Sequence, residues 1–407
     1  MPKPLSPQTI ALIKATVPAL REHGLTITKT MYGHLFKDAE IRDLFNQSHQ
    51  GQEGSQPKAL ASSILAYAEN IDNLGALAPA VERIAQKHAG LNILPEHYPY
   101  VARALLQAIR DVLGEAATDE IIKAWGEAYW FLAEILIGRE AEIYREAASA
   151  PGGWTGWRDF RVDKVIEESA IIRSFYLVPV DGGEVIRHKP GQYLTFRLEG
   201  EGLEPLKRNY TISSAPSSRY YRITVKREDG GPNAPAGRAS TWLHEHAEVG
   251  TVLRVAAPAG DFHLDVDTTK DPIVLVSGGV GLTPMVSMLE TVAEKRSDLQ
   301  TWYVHGAQNS AVHAMGARVR KLADGKSNID VKVFYADPDS IDATYDEKGL
   351  ISAEWLGRNT PSDRATYYLC GPKPFLKAIA RGLKDAGVAP ERIRYEFFGP
   401  ADDILAA

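Results

Sequence analysis

The stretch Ile273-Val274-Leu275-Val276-Ser277-Gly278-Gly279-Val280-Gly281-Leu282-Thr283-Pro284 sets the architecture of the last third of the chain. Four consecutive apolar residues leave no polar face, which marks a parallel strand buried on both sides. The glycines that follow let backbone approach a ligand closely. Pro284 suits the first turn of a helical run through Met285, Met288 and Leu289. Unpaired N–H groups at such a helix start favour phosphate, so Gly278, Gly279, Gly281, Thr283 and Pro284 are candidate dinucleotide contacts. The string is not Gly-x-Gly-x-x-Gly, because Thr283-Pro284 stands where that pattern ends.

Downstream, Thr301–His305, Val331–Tyr335 and Ala365–Leu369 alternate with helical stretches, which predicts an α/β domain over 264–407 with a parallel sheet and helices on both sides. Cys370-Gly371-Pro372 follows the last of these strands and should lie at the carboxyl end of the sheet, where ligands of open α/β folds bind. Cys370 itself reads as a small buried residue without reactivity. Upstream the period is two. Ile171–Val178, Tyr193–Leu198, Tyr221–Lys226 and Thr251–Ala257 are short, β-rich and split by turn clusters such as Asp181-Gly182-Gly183, which predicts an antiparallel β-barrel domain over 153–263.

Ala150-Pro151-Gly152-Gly153 breaks the chain again, and before it helical periodicity runs through residues 1–148. Leu60, Ile64, Tyr67, Ala68 and Ile71 share one helical face, as do Leu77, Val81, Ile84 and Ala85, and Ile121, Trp125, Ala128, Tyr129, Leu132, Ile135 and Leu136. An all-α first domain follows. The polar stretch Asn46–Gln56 reads as a loop, and Pro57 as the start of the next helix.

With 407 residues the chain exceeds one compact core. Forty-six Lys and Arg against fifty-two Asp and Glu give a net charge of −6, which offers no electrostatic reason to bind nucleic acid or an anionic membrane. A single cysteine excludes an intrachain disulfide, a Cys-ligated zinc and a Cys-x-x-Cys-His haem attachment, and suggests a reducing, cytoplasmic setting. The first twenty residues lack the apolar core of a signal peptide, and no apolar run approaches the ~20 residues that span a bilayer.

Several polar residues sit on apolar stripes of the helical domain. His88 continues the Leu77–Ala85 stripe and should point inward, as a core histidine bonded to a carbonyl or as a metal ligand. Glu140 lies four residues after Leu136 and three before Ile143, so it must be paired or reach water at the helix end. Tyr32 stands among Met31, Leu35 and Phe36, and Gln56 one turn before Leu60; their polar tips either share a cavity or make local bonds.

In the barrel, Arg208-Asn209-Tyr210-Thr211 follows a strand and combines a cation, an aromatic ring and a hydroxyl. A flavin nucleotide needs all three: charge for its pyrophosphate, a ring along its isoalloxazine, a hydroxyl at its edge. Alone, the string also fits a strand with an edge arginine. Gly237-Arg238-Ala239-Ser240 supplies a glycine and a hydroxyl at a helix start, which equally describes a turn with a serine cap.

Together these strings resemble the FAD site of the ferredoxin-reductase family, as do Gln192-Tyr193 and the terminal Tyr395-Glu396-Phe397-Phe398-Gly399-Pro400. The helical domain resembles a globin, with His88 and the phenylalanine of Leu44-Phe45-Asn46. Ala85-Gln86-Lys87-His88, Pro95-Glu96-His97-Tyr98 and Arg139–Tyr144 are similar to the bacterial flavohaemoglobins, and the similarity covers essentially the whole chain. By that resemblance His88 ligates the iron of haem b, Phe45 packs on the haem, and Tyr32, Gln56 and Leu60 line the distal side. Tyr98 and Glu140 complete the proximal network. Glu396 and Phe398 border the flavin, and the segment Cys370-Gly371-Pro372 borders the nicotinamide of NADH or NADPH, which spacing does not separate. The implied activity is nitric oxide dioxygenase: NAD(P)H reduces FAD, FAD reduces haem iron, and bound dioxygen, held by a hydrogen bond from Tyr32, oxidises nitric oxide to nitrate. Its partners would be small molecules. Two rivals are an oxygen-binding or sensing globin kept ferrous by its reductase, and a flavin diaphorase serving outside acceptors.

Overall fold

The computed structural model describes residues 3–42, 55–231 and 235–399. Its contacts divide the chain into two compact units, residues 1–149 with 204–207, and 150–203 with 208–407.

The first unit is helical: Pro7–Ala15 (α1), Val17–Leu35 (α2), Ala39–Arg42 (α3), Ser55–Glu69 (α4), Ala78–Gly90 (α5), Tyr98–Leu113 (α6) and Asp119–Ser149 (α7). Proline punctuates it. Pro7, Pro18, Pro57, Pro79 and Pro99 each fall in the first turn of a helix, where a missing N–H costs nothing. The Ser6 hydroxyl caps α1 by accepting from the Thr9 amide at 3.0 Å. Helix α4 begins at Ser55, two residues ahead of Pro57, so Gln56 belongs to the helix and not to a preceding loop. Phe45 lies outside the described residues.

Among the described residues the helical core falls into two apolar clusters rather than one. The larger gathers Met31, Tyr32, Ile71, Ala104, Leu105 and Trp125, with Leu60 and Ile64 against it. The smaller gathers Ala85, Ala89, Tyr98, Leu136 and Ile143. Tyr129 and Leu132 of α7 touch both. A helical domain of this size ordinarily builds one contiguous core.

The second unit opens with strands Arg158–Ser169 (β1), Ile172–Pro179 (β2), Tyr193–Gly200 (β3), Leu203–Thr211 (β4), Tyr221–Lys226 (β5) and Val252–Val255 (β6), with helix Arg238–His246 (α8) before the last. They form one sheet in the order β4-β3-β6-β1-β2-β5. A bridge from Ile212, just past β4, to Ile223 of β5 brings the two edges together, as a barrel requires. Inward residues such as Phe160, Val162, Phe175, Leu194, Phe196 and Ile223 exclude solvent. Two strands were not anticipated. In β1, Phe160 and Val162 alternate with charged residues, the ordinary signature of a half-buried strand. In β4, Glu204-Pro205-Leu206-Lys207-Arg208-Asn209 carries no alternation, so Arg208–Thr211 lie on a strand rather than after one.

The remainder alternates strand and helix: Ile273–Gly278 (β7), Leu282–Lys295 (α9), Thr301–Ala307 (β8), Gly316–Ala323 (α10), Ile329–Tyr335 (β9), Glu347–Lys348 (β10), Ala353–Asn359 (α11), Thr366–Cys370 (β11), Lys373–Asp385 (α12) and Ile393–Glu396 (β12). The sheet is parallel in the order β10-β9-β8-β7-β11-β12. Ile273 and Leu275 pack on one side with Met285 and Leu289 of α9, while Val274 and Val276 pack on the other with Leu376 and Leu383 of α12. Both faces of β7 are therefore buried, as its sequence requires. The order reverses between β7 and β11, which places a crevice at their carboxyl ends.

Candidate functional site

A buried carboxylate organises the helical unit. Glu140 of α7 is 2 % exposed, which removes the reading in which it reaches water. Its Oε1 accepts from the Tyr98 hydroxyl at 2.6 Å and lies 2.7 Å from His88 Nδ1. Beside it, Arg139 makes two bonds to Glu82 of α5, at 2.7 and 3.0 Å, which fix α5 on α7 in the register that brings His88 to Glu140. Tyr129 donates to the Tyr98 carbonyl at 2.8 Å and Tyr144 to the Ile93 carbonyl at 2.6 Å.

These bonds decide the tautomer of His88. Burial, then the Glu140 carboxylate, push the Tyr98 phenol far above its ordinary pKa, so it keeps its proton and donates it. The same Glu140 oxygen faces His88 Nδ1, so in the neutral imidazole Nδ1 is the nitrogen placed to donate and Nε2 the one that keeps the lone pair. The histidine is thus partnered by a carboxylate and not by a backbone carbonyl, and it is half-buried. No cluster of three or more His, Cys, Asp and Glu suited to a metal ion occurs among the described residues. One imidazole cannot hold a free ion, but it suffices as axial ligand to a metal whose other positions a macrocycle fills. A flat apolar group also matches a helical core divided into two clusters.

In the larger apolar cluster, Tyr32 of α2 is buried against Phe36, ring centres 5.3 Å apart. Leu60 of α4 joins the same apolar cluster, and α2 packs on the first turn of α4 through a bond from the Thr28 hydroxyl to the Pro57 carbonyl at 3.0 Å. Gln56 lies in that turn.

In the barrel, Arg208 and Tyr210 project to one side of β4 and Asn209 and Thr211 to the other. Desolvation and the nearby Arg238 both disfavour the charge on Arg208, so two guanidinium groups converge at the start of α8. Positive charge beside a helix start is the chemistry that favours an anion. Gly237 caps α8, and the Ser240 hydroxyl returns to its carbonyl at 3.1 Å. Asn209 accepts from Thr195 at 2.9 Å, and Tyr210 sits edge-on to Phe196. Gln192 accepts the Lys189 amide at 2.9 Å and so fixes its own turn. Next to it, Tyr193 has a buried hydroxyl without a protein partner among the described residues, a phenol placed to meet something the protein does not supply.

The crevice between β7 and β11 gathers the remaining candidates. Gly281 packs on the β11 end so closely that a side chain would lie 2.3 Å from the Cys370 carbonyl. Gly279 has φ +56° and only open space where a side chain would be, which leaves room for a ligand over the turn. Helix α9 starts at Leu282, with Thr283 and Pro284 in its first turn. Across the crevice Gly278 packs closely on Pro372, whose Cδ would lie only 3.3 Å from a side-chain carbon at Gly278, and Gly371 precedes α12. Cys370 is fully buried and burial pushes its thiol up, in accord with an inert residue. In register beside Cys370 stands Glu396, the last residue of β12, and Phe398 just beyond is 48 % exposed. Residues of the two nucleotide motifs therefore meet at one sheet edge.

The sequence marks Tyr129 as a stripe residue and Arg139 and Tyr144 as part of a family-like string, but not their bonds, because solvent-facing charges and core tyrosines carry no mark of their tertiary partners.

Residues 29–136 match the globin family and residues 275–381 the oxidoreductase NAD-binding domain family. A flavohemoprotein of Xylella fastidiosa (strain 9a5c) is 53% identical over 402 residues, covering 99% of this chain and 99% of that one. Among solved structures, the flavohemoglobin of Malassezia yamatoensis with bound FAD and heme is similar over 97% of this chain and 100% of its own, with TM-score 0.85 and 28% identity. The FAD/NAD-binding domain of nitric oxide dioxygenase from Vibrio cholerae O1 biovar El Tor covers 60% of this chain with 99% of its own, at TM-score 0.54 and 35% identity.

Proposed function

Because the chain belongs to the flavohaemoprotein family, we propose that it is a nitric oxide dioxygenase that spends NAD(P)H and dioxygen to convert nitric oxide to nitrate. Its modules are a globin over 1–148, an FAD barrel over 153–263 and an NAD(P) domain over 264–407. When bound, haem supplies oxygen activation, FAD the conversion of a two-electron donor into single electrons, and nicotinamide the reducing equivalents.

The observation that carries this reading is the Tyr98–Glu140–His88 arrangement. A histidine that shares its Nδ1 proton with a carboxylate is a more basic ligand at Nε2, which favours activating oxygen over merely carrying it. Tyr98 holds Glu140 in place and keeps its own proton. Tyr32 brings a phenol to the distal face, where an O–H donor stabilises developing negative charge, and Leu60 adds an apolar wall beside it; by the family resemblance Phe45 would pack on the haem. Gln56, in the first turn of α4, is the further distal candidate. Arg208, with Gly237 and Ser240 at the start of α8, holds the flavin pyrophosphate. Tyr210, Thr211, Gln192, Tyr193, Asn209, Glu396 and Phe398 frame the rest of the flavin. Gly278, Gly279, Gly281, Thr283 and Pro284 receive the NAD(P)H phosphates, and Cys370, Gly371 and Pro372 border the nicotinamide.

The test is product formation. Protein loaded with haem and FAD should turn nitric oxide into nitrate over many turnovers while NAD(P)H and dioxygen last, and His88→Ala should abolish this. Nitric oxide consumption that survives His88→Ala contradicts the assignment and favours a flavin diaphorase.

A further inference from the structure

The second unit hides an ion pair that binds no cofactor in the reading above. Arg222 of β5 is fully solvent-excluded, and its Nη2 donates to Glu290 Oε1 at 2.9 Å. The same guanidinium bonds the Ser213 hydroxyl at 3.0 Å through Nε, and the Ser213 carbonyl through Nη2. Glu290, on α9, turns its other oxygen to the Ala215 amide at 2.9 Å, while Oε1 also accepts at 2.5 Å from Arg318 of α10, a partly exposed cation that reaches water without the carboxylate. One turn earlier on α9, the Ser287 hydroxyl donates to the Ser214 carbonyl at 2.7 Å, and His188 reaches that carbonyl at 3.1 Å.

Residues 213–215 are the direct continuation of β4, which carries Arg208–Thr211. Helix α9 is the continuation of the turn that carries Gly279 and Gly281. Ser214 and Ala215 are thus fastened directly to the helix behind the dinucleotide turn, and Ser213 through Arg222. Desolvating two full charges is costly, and apolar residues of the same volume would hold two elements together as firmly. What a hydrogen-bonded pair adds is a fixed distance and direction.

We propose that Glu290, through Arg222 and the Ala215 amide, is a positioning residue that sets the NAD(P)H turn against the flavin strand for hydride transfer; Ser287 is the second fastening. The inference rests on the reductase reading. In that step a hydride, a proton with two electrons, leaves NAD(P)H to give NAD(P)+ and arrives on FAD, which takes a solvent proton to become FADH2. Placement errors of about 1 Å cost such steps on the order of 100-fold.

The experiment compares haem- and FAD-loaded native protein with Glu290→Asp, which keeps the charge and shortens its reach, and with the apolar double variant Arg222→Met/Glu290→Leu, which removes both charges and guards against a misfolded single variant. Anaerobic mixing with NADH or NADPH gives the rate of flavin bleaching at saturation, the coenzyme Kd and the long-wavelength nicotinamide–flavin charge-transfer band. Hydrogen exchange at the Ala215 amide is read without coenzyme. We expect normal flavin content, Kd within about twofold, hydride transfer slowed about 10- to 100-fold in both variants, a weakened charge-transfer band and faster Ala215 exchange. Native rates and band in either folded variant overturn the proposal. Flavin in the native protein that neither coenzyme bleaches overturns the reductase reading itself.

Discussion

At the scale of single residues, the account turns on which atom of which side chain holds a proton. Tyr98 donates, one oxygen of Glu140 faces both Tyr98 and His88 Nδ1, and the neutral imidazole so held keeps its lone pair on Nε2. Glu140→Gln keeps the size and an accepting oxygen but loses the charge, so the imidazole becomes a weaker electron donor. Groups that orient a metal-bound histidine typically contribute ~10–100-fold in activity or affinity. Nitric oxide turnover in Glu140→Gln should fall by about that factor while the Soret band of bound haem persists; unchanged turnover would show the carboxylate to be unnecessary. His88 and Glu140 were legible in the sequence as polar residues on apolar stripes. Their mutual bond was not, because 52 residues separate them and only the packing of α5 on α7 brings them to 2.7 Å.

At the scale of elements, buried histidines pin the second unit and make it sensitive to acid. Burial holds His188 down to about 3, only partly countered by its bond to the Ser214 carbonyl, and its Nδ1 has no partner among the described residues. His313, against the Tyr335 hydroxyl and the His305 ring, is held down to about 4 by burial and by Arg320. In the unfolded chain both titrate near 6.5, so as pH falls the unfolded state takes up protons first. Stability is full above about pH 6.5 and is lost as pH falls toward the folded values, by about 2 kcal/mol for each histidine at pH 5. The thermal midpoint of the reductase unit should drop between pH 7.5 and 5, and His188→Gln should flatten part of that drop. A midpoint that does not move over this range contradicts the account. The elements themselves were unevenly legible. The strand β7 announced itself by being apolar on both faces, whereas β4 did not, because only Leu203 and Thr211 at its two ends are buried and nothing between them alternates.

At the scale of the whole molecule, three architectures in one chain follow from three periodicities: near 3.6 before Pro151, two through the barrel, and alternating strand and helix from Ile273 onward. The break at Pro151-Gly152-Gly153 and the glycine turn after β7 made that organisation readable from the sequence. How the barrel strand and helix α9 are fastened was not readable, since Arg222 and Glu290 look like ordinary surface charges until burial is known. In the proposed function, what unites the parts is a path for electrons that ends at His88. The most direct measurement is the absorption spectrum of protein reconstituted with hemin and FAD, taken under anaerobic conditions before and after NADH. The account predicts that the flavin bands bleach and the haem bands move to their ferrous positions, with the second change lost in His88→Ala. A protein that takes up no hemin, or whose haem bands stay ferric while the flavin bleaches fully, would contradict it.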